Sequence, residues 1–191
     1  INEGDGAFYG PKIDFRVVDA LGRKWQCGTV QLDMSLPERF DLEYTTAEGT
    51  KARPIMIHRV IYGSIERFFG ALIEFYAGKF PLWISPSQII IIPVADRHVP
   101  YAEKIKAALQ ALDFIVDIDD SHESVSKKIR SAQMNQYNYM IPIGDQEVEK
   151  NCISLRTRDN VVHGQMELSH LLENLVKERD QRLLYSLFKT K

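Results

Sequence analysis

The sequence predicts an α/β protein, α+β overall, made of two bodies that differ in the type of sheet they contain. The alternating pattern of "KIDFRVVD", the turn glycine of "LGR" and the following "KWQCGTVQLD" indicate an antiparallel hairpin. The unbroken apolar run "IIIIPV" is typical of a strand buried on both faces of a sheet. From that run onward the element order βαβαββα predicts a three-layer α/β body with a mixed sheet.

The first body combines the hairpin with a strand and a helix. The hairpin is predicted over residues 11–32, a polar connection over residues 33–53, and a short strand at "PIMIH". A helix then begins at Gly63-Ser64 and ends at Ala77-Gly78, where glycine supplies the stop. Arg67 is expected on the inner face of this helix. The apolar side chains that recur at steps of three and four are Ile61, Ile65, Phe68, Phe69, Leu72 and Tyr76.

The second body is predicted to follow a linker, "KFPLWISPSQ", which contains two prolines. A helix with Pro100 in its first turn follows the apolar strand. "FIVDI" is the next strand, and a second helix follows it. The strands "YMIPIG" and "CISLRT" are predicted to be joined by the polar turn "DQEVEKN", and a last helix begins at about Glu167.

Composition limits the classes of function that the chain can have. A net charge of -2 and a pI near 6.2 exclude a generally basic nucleic-acid binder, so any contact with RNA must be local. The two cysteines, Cys27 and Cys152, form no disulfide framework or metal-like spacing, which favours a reducing, cytosolic setting. No apolar run approaches the roughly 20 residues of a membrane span, so no membrane partner is expected. The glycine-rich start after Ile1 predicts a piece of a longer protein.

One candidate site lies in "IMIHRVIYGSIERFFG", where a histidine and two arginines interrupt an apolar stretch. His58 ends a strand, and the amides at the helix start that follows attract anions. Arg67, one turn inside the helix, offers a guanidinium fork to a phosphate. Together these features indicate a nucleotide site. Taken singly, a hydrogen-bonded core histidine and a salt-bridged helix arginine explain the same residues.

A second candidate is one face of the hairpin strand "WQCGTVQLD". Strict alternation places Gln26 and Gly28 on one face and Cys27, Thr29 and Gln31 on the other. A face with a thiol, a hydroxyl and an amide suits hydrogen bonding to a polar ligand. A solvent-facing sheet surface is the competing interpretation.

Several motifs resemble those of threonyl-tRNA synthetases, a family of class II aminoacyl-tRNA synthetases. They are "FYGPKIDF", "WQCGTVQLD", "MIHR", "GSIERFFG", "EFYAGKFPLW" and the "RTR" strand. The resemblance implies that residues 1–80 are the C-terminal part of the class II catalytic domain, with its antiparallel sheet and motif 3. Residues 82–191 are then the anticodon-binding domain, with a mixed five-stranded sheet. The family implies a cytoplasmic enzyme and a homodimer at full length.

The same resemblance implies ATP-dependent attachment of threonine to tRNA(Thr) through a threonyl-adenylate, with Mg²⁺ accompanying ATP. It assigns catalysis to Lys12 and Arg67, whose positive charges stabilise developing phosphate charge. The implied ATP-binding residues are Lys12, Gln26, Thr29, Gln31, Ser64 and Arg67. The implied threonine-binding residues are Tyr9, Gln26, Cys27 and His58.

His58 matches one of three protein ligands of a Zn²⁺ ion in this family. Three ligands leave room for the amino and hydroxyl groups of threonine, and isosteric valine has no hydroxyl to offer. The other two ligands, a cysteine and a histidine, are expected upstream of Ile1, as are motifs 1 and 2. The chain alone is therefore expected to bind zinc weakly or not at all, and to be inactive. The remaining histidines, none at a family ligand position, are His98, His122, His163 and His170.

The residues that the resemblance assigns to the anticodon are His122, Arg130, Glu147 and Arg156. Arginines and a carboxylate can read the edges of splayed-out bases. His122 stands where the family commonly has asparagine, so its geometry toward a base is altered. An outward-facing position on an edge strand is the competing explanation for Arg156.

Two other classes of function compete with the synthetase interpretation. A non-catalytic RNA-binding or adaptor module would keep only the anticodon-like domain, but it would not need Lys12, His58 and Arg67 together. A free-standing nucleotide-binding α/β protein is disfavoured because the sequence has no P-loop and no GxGxxG after a strand.

Overall fold

A computed structural model describes residues 3–4 and 6–188. It divides the chain into two compact units, Ile1–Ala77 and Gly78–Lys191. The sequence predicts a catalytic-domain part at residues 1–80 and an anticodon-binding domain at residues 82–191. These two assignments remain predictions. Within the described ranges, no helix is both long enough and apolar enough to cross a membrane.

The first unit is built on a three-stranded antiparallel sheet. Its elements in chain order are β1 (Lys12–Val18), β2 (Lys24–Asp33), α1 (Ser35–Arg39), β3 (Tyr44–Thr45), β4 (Lys51–Ala52), β5 (Met56–Val60) and α2 (Ile65–Tyr76). The sheet has the order β1-β2-β5, so β2 is central. β3 and β4 form a separate two-stranded hairpin. The hairpin and the β5 strand predicted from the sequence are confirmed, whereas the polar connection of residues 33–53 contains α1 and the small hairpin.

A β-bulge interrupts the pairing of β1 with β2. Phe15 pairs with Gly28 but Arg16 pairs with Gln26, so Cys27 is an extra residue on β2. Because a bulge shifts the alternation of side chains, Gln26 and Thr29 both reach Asp14, on one face. The strict alternation predicted from the sequence, with Gln26 on the face opposite Thr29, is therefore wrong at this point.

α2 begins and ends as predicted, but its apolar stripe is not buried. Ser64 is the N-cap, and the left-handed Ala77 and Gly78 end the helix. No residue of α2 is buried and Arg67 is exposed, so the expectation of an inner face is wrong for this chain. The apolar face of the sheet is also open, with Ile13 62% and Ile57 63% exposed. Three strands and one long helix do not form enough layers to cover both surfaces within this unit.

The second unit is a three-layer α/β body around a five-stranded mixed sheet, which confirms the predicted fold class. Its elements are β6 (Ile89–Pro93), α3 (Val99–Gln110), β7 (Val116–Ile118), α4 (Val125–Met134), β8 (Tyr139–Ile143), α5 (Asp145–Glu149), β9 (Ile153–Thr157), β10 (Val162–Met166) and α6 (Leu168–Asp180). The strand order is β10-β9-β8-β6-β7. β6 pairs in parallel with β7 and β8, and β9 pairs antiparallel with β8 and β10.

The core of this unit lies on both faces of β6, which is buried along its whole length as predicted. α3 and α6 cover the face that carries Ile89 and Ile91, and α4 covers the face that carries Ile90 and Ile92. The segment predicted as a linker is part of this core, since it forms a 3-10 turn at Leu82–Ile84 and buries Leu82 completely.

Two other details of the second unit differ from the pattern-based prediction. The polar turn "DQEVEKN" contains the one-turn helix α5, capped by Glu147. β10 was not predicted from the pattern, since its side chains follow no clear alternation: Gly164 has a φ of +77° and the register shifts between Val162 and Gly164.

Candidate functional site

One face of the three-stranded sheet brings together most of the residues assigned to ATP and threonine. Lys12 pairs with Gln31 and Asp14 with Thr29 across β1 and β2, and Gln31 pairs with His58 across β2 and β5. Directly opposed residues in an antiparallel sheet point to the same face. The sheet therefore lines up an ammonium, a carboxylate, a hydroxyl, an amide and an imidazole.

Asp14 is the centre of a hydrogen-bonded group on this face. Its carboxylate lies 3.1 Å from the ammonium of Lys12 and accepts hydrogen bonds from the Gln26 amide (2.8 Å) and the Thr29 hydroxyl (2.9 Å). The hydrogen bond from Thr29, and after it the contact with Lys12, hold the pKa of Asp14 below its usual range. Asp14 thus fixes three predicted site residues in one orientation. The Lys12 ammonium has two further protons to donate.

Tyr9 joins the same face from the segment before β1. Its hydroxyl donates to the Gln31 side chain (2.7 Å), and its carbonyl accepts from the backbone of Met34 (3.1 Å). Gly10 makes this approach possible, because a Cβ there would lie 2.2 Å from the carbonyl oxygen of Leu32. The close approach of this segment to β2 therefore requires glycine at position 10.

His58 lies beside a buried acid. The Nε2 atom of His58 is 2.8 Å from Oδ2 of Asp33, whose side chain is 2% exposed against 37% for His58. Burial alone would raise the pKa of Asp33, but the backbone amides of Leu36 and Ser35 and the imidazole hold it below its usual range. The pair lines a cleft of about 330 Å³ with Tyr9 and Gln31, and the other lining residues are Phe8, Ser35, Leu36 and Arg39.

The start of α2 lies against the bulge of β2. Gly63 has a φ of +67°, and a Cβ there would be 2.8 Å from the carbonyl oxygen of Cys27. Ser64 accepts a long hydrogen bond from the Arg67 amide (3.5 Å) and donates to Glu66. Within the described residues, the Arg67 guanidinium has no hydrogen-bond partner. Cys27 is half-buried and carries a free thiol.

The described residues offer a single candidate metal ligand in this cleft, His58. Among residues 3–4 and 6–188, no three acidic, histidine or cysteine side chains are grouped as metal ligands. A histidine whose second ring nitrogen bonds to a carboxylate has the usual arrangement of a metal-binding imidazole. His58 therefore fits as a single ligand, and the chain supplies no complete ligand set in its described part.

In the second unit, the residues assigned to the anticodon lie on α5, on β9, on α4 and in the loop before α4. Glu147 accepts hydrogen bonds from the Gly144 amide (2.9 Å), the Ser154 hydroxyl (2.8 Å) and the Gln165 amide (3.1 Å). Burial would raise the pKa of Glu147, but these donors hold it below its usual range. The carboxylate is charged and already bound to the scaffold of α5, β9 and β10.

Arg156 and Arg130 lie on the side of the sheet that α4 covers. Arg156 is half-buried and pairs in register with Met140, which belongs to the cluster beneath α4. Arg130 is exposed on α4, one turn before Gln133, whose amide donates to Asn160 in the turn after β9 (3.1 Å). The two guanidinium groups therefore share one side of the sheet, and Arg156 is not simply an outward residue of an edge strand.

His122 occupies a different place, in the loop between β7 and α4. It is exposed and lines a cleft of about 230 Å³ that also contains Asp96, Asp120 and the buried Lys128. Lys128 donates to the carbonyl oxygen of Asp119 (2.9 Å) and so ties this loop to the unit. The cleft lies at the carboxyl ends of β6 and β7, where open α/β sheets usually bind ligands.

Sequence reasoning missed two acids that organise the first site. Asp14 and Asp33 each hold predicted site residues, Asp14 by three contacts and Asp33 through His58. The signal was present, because Asp33 continues the alternation of Thr29 and Gln31 along β2.

Family models match both units and define the class of protein. A "tRNA synthetase class II core domain (G, H, P, S and T)" matches residues 1–76, and an "Anticodon binding domain" matches residues 88–178. A class II core followed by an anticodon-binding domain is the organisation of an aminoacyl-tRNA synthetase.

Similar proteins narrow this class to one family. A threonine–tRNA ligase of Protochlamydia amoebophila is 61% identical over 186 residues, which is 97% of this chain and 29% of that protein. A threonine–tRNA ligase of Chlamydia caviae is 57% identical over 187 residues, which is 98% of this chain and 29% of that protein. The chain belongs to the threonine–tRNA ligase family. It spans 29% of the length of these relatives.

A solved structure supports the same assignment. The crystal structure of the RNA-binding domain of threonyl-tRNA synthetase from Cryptosporidium parvum matches with a TM-score of 0.84 and 40% identity. The match covers 97% of this chain and 46% of that one.

Proposed function

We propose that the protein to which this chain belongs attaches threonine to tRNA(Thr) through a threonyl-adenylate, and that the two units divide the work. The first unit supplies part of the ATP and threonine site, and the second reads the anticodon. The observation that carries the proposal is the polar face on which Lys12, Thr29, Gln31 and His58 are held in register.

The chemistry of this face suits adenylate formation. The reaction builds negative charge on the α-phosphate, and fixed positive groups stabilise such charge. Lys12, oriented by Asp14, and Arg67, in the first turn of α2, are the two cations assigned to this task. Gln26 and Thr29 hydrogen-bond to the same aspartate, so both side chains are held on one face of the strand that would lie under the adenylate.

Threonine recognition is assigned to Tyr9, Gln26, Cys27 and His58. We infer that His58 is one ligand of a Zn²⁺ ion whose other ligands are outside the described residues. The bound metal would accept the amino and hydroxyl groups of threonine and so reject valine. Mg²⁺ accompanies ATP. This chain's own part is to hold the imidazole, which Asp33 and the neighbouring strands do.

The second unit is proposed to bind the anticodon through His122, Arg130, Glu147 and Arg156. Two arginines on one side of the sheet suit base edges in an unpaired loop. Glu147 keeps a charged carboxylate close to Ser154 on β9, two residues before Arg156. A homodimer and a cytoplasmic setting, the latter supported by two free cysteines, complete the proposal.

The competing function is a non-catalytic RNA-binding adaptor. It would need the second unit but would have no use for an ordered Lys12–Asp14–Thr29 group in the first. The contacts of Asp14 with Lys12 and Thr29 favour the enzyme.

The test is threonine-dependent exchange of pyrophosphate into ATP by the complete gene product that carries this chain. We expect exchange with threonine, much weaker exchange with valine, and a loss of at least a hundredfold in R67A. Lys24→Ala, which removes an exposed positive charge at the start of β2, should leave exchange unchanged. An adaptor would show no exchange with any amino acid, and this outcome would overturn the proposal.

A further inference from the structure

Asp33 is a buried acid outside the set of site residues that the family resemblance assigns. It closes β2, and its side chain is 2% exposed. One oxygen, Oδ1, accepts hydrogen bonds from the backbone amides of Ser35 (2.8 Å) and Leu36 (2.9 Å) at the start of α1. The other oxygen, Oδ2, lies 2.8 Å from Nε2 of His58 on β5. The carboxylate therefore joins three elements beside the candidate threonine cleft.

The direction of the Asp33–His58 hydrogen bond is fixed by chemistry. Asp33 already accepts two backbone N–H bonds through Oδ1, the bonding of a carboxylate, and a carboxylate that also accepts through Oδ2 places the imidazole hydrogen on Nε2. A neutral imidazole with hydrogen on Nε2 has its lone pair on Nδ1. Among the described residues, no side chain or backbone group forms a hydrogen bond with Nδ1 of His58. In the described part of the chain, the ring nitrogen of His58 without a hydrogen bond is therefore Nδ1.

We propose that Asp33 is a positioning residue that holds His58 as the Nε2–H tautomer, so that the imidazole binds the metal through Nδ1. This inference rests on the proposed role of His58 as a zinc ligand. Metal-binding histidines usually donate their second ring N–H to a carboxylate or carbonyl, which fixes the ring and strengthens the ligand. Asp33 suits this task because its other oxygen is bound to two amides, so the acceptor itself cannot turn.

Asp33→Asn is the informative variant. The asparagine oxygen can still accept from Ser35 and Leu36, so the start of α1 is retained. Its amide nitrogen then faces Nε2 and donates to it, which moves the hydrogen of His58 to Nδ1. The variant therefore reverses the tautomer while the shape of the side chain stays the same.

The first measurement is a long-range ¹H–¹⁵N spectrum, at pH 8, of the zinc-free complete gene product labelled with ¹⁵N-histidine, with His58 assigned by its disappearance in H58Q. We expect the Nε2–H pattern in the wild type and the Nδ1–H pattern in D33N. A wild-type Nδ1–H pattern would overturn the proposal, even if D33N failed to fold.

The second measurement is zinc affinity of the complete gene product, determined by metal analysis after dialysis against graded chelator. D33N should lower the affinity about 10- to 100-fold. Asp41→Asn, which removes a carboxylate ion-paired with Arg53, should leave it unchanged. Unchanged affinity in D33N would overturn the positioning role. H58Q that retained zinc would instead overturn the metal role of His58, and the spectrum would still decide the tautomer.

Discussion

Single residues in the first unit hold the candidate site together by close backbone approaches. Gly10 and Gly63 each lie where a Cβ would collide with a neighbouring carbonyl oxygen, that of Leu32 or that of Cys27. The two contacts fix Tyr9 over β2 and place the start of α2 at the bulge. A pattern of strands and helices predicts neither contact, because each depends on chains that are distant in sequence.

Gly63→Ala tests this arrangement at the residue scale. The alanine would have to adopt a φ of +67° and place its Cβ 2.8 Å from the Cys27 carbonyl oxygen. We expect the free energy of unfolding of the first unit to fall by about 1–3 kcal/mol, and pyrophosphate exchange to fall with it.

Gly22→Ala is the matched control. Gly22 has a φ of +77° but no atom within 4 Å of the added Cβ, so it carries the backbone cost without the collision. Urea unfolding of both variants should show the larger loss in G63A. Equal losses would mean that the contact with Cys27 contributes nothing.

At the scale of an element, the one-turn helix α5 is held in place by side-chain contacts to Asp145, its first residue. The Arg97 guanidinium and the buried His98 both bind Asp145, at 2.7–2.9 Å. Arg97 first, and then His98, hold the pKa of Asp145 well below its usual range. The contacts of Arg97 and His98 with Asp145 fix the start of α5, the helix that carries Glu147, a residue assigned to the anticodon.

We therefore expect the D145N variant to be less stable than the wild type, by an amount that depends on pH. A carboxyl group whose pKa is lowered on folding stabilises the protein fully above its unfolded pKa. This contribution decreases as the pH falls below the unfolded pKa and is lost as the pH falls through the lower, folded pKa. The difference in melting temperature between wild type and D145N should be largest at pH 7 and shrink below about pH 4.

Glu149→Gln, at an exposed acid of the same helix, is the control and should show little difference at any pH. A gap between wild type and D145N that stayed constant from pH 3 to pH 7 would contradict the assigned role of Asp145.

Elements also show what the sequence could and could not predict. The buried run of β6 and the capped helix α2 were predictable, because their signals are local. The faces of β2 were not, because the bulge at Cys27 arises from pairing with β1 and moves Gln26 to the face of Thr29. α5 was missed because a single turn capped by Glu147 has no apolar periodicity.

At the scale of the whole molecule, the two units present different chemistry. The first carries an ordered polar face and leaves its apolar surfaces open. The second has a closed core and places Arg130 and Arg156 on one side of its sheet. The proposed roles of these residues came from the resemblance of motifs, since composition with a net charge of -2 favours no RNA partner.

The most direct measurement compares pyrophosphate exchange with aminoacylation of tRNA(Thr) for the complete gene product and its R156A variant. Exchange needs no tRNA, so R156A should leave it unchanged. A base contact is worth about 1–3 kcal/mol, so the KM for tRNA should rise roughly 5- to 150-fold. Lys104→Ala, at an exposed position on α3, controls for charge alone. If R156A lowered both activities equally, or neither, the division of work between the two units would be contradicted.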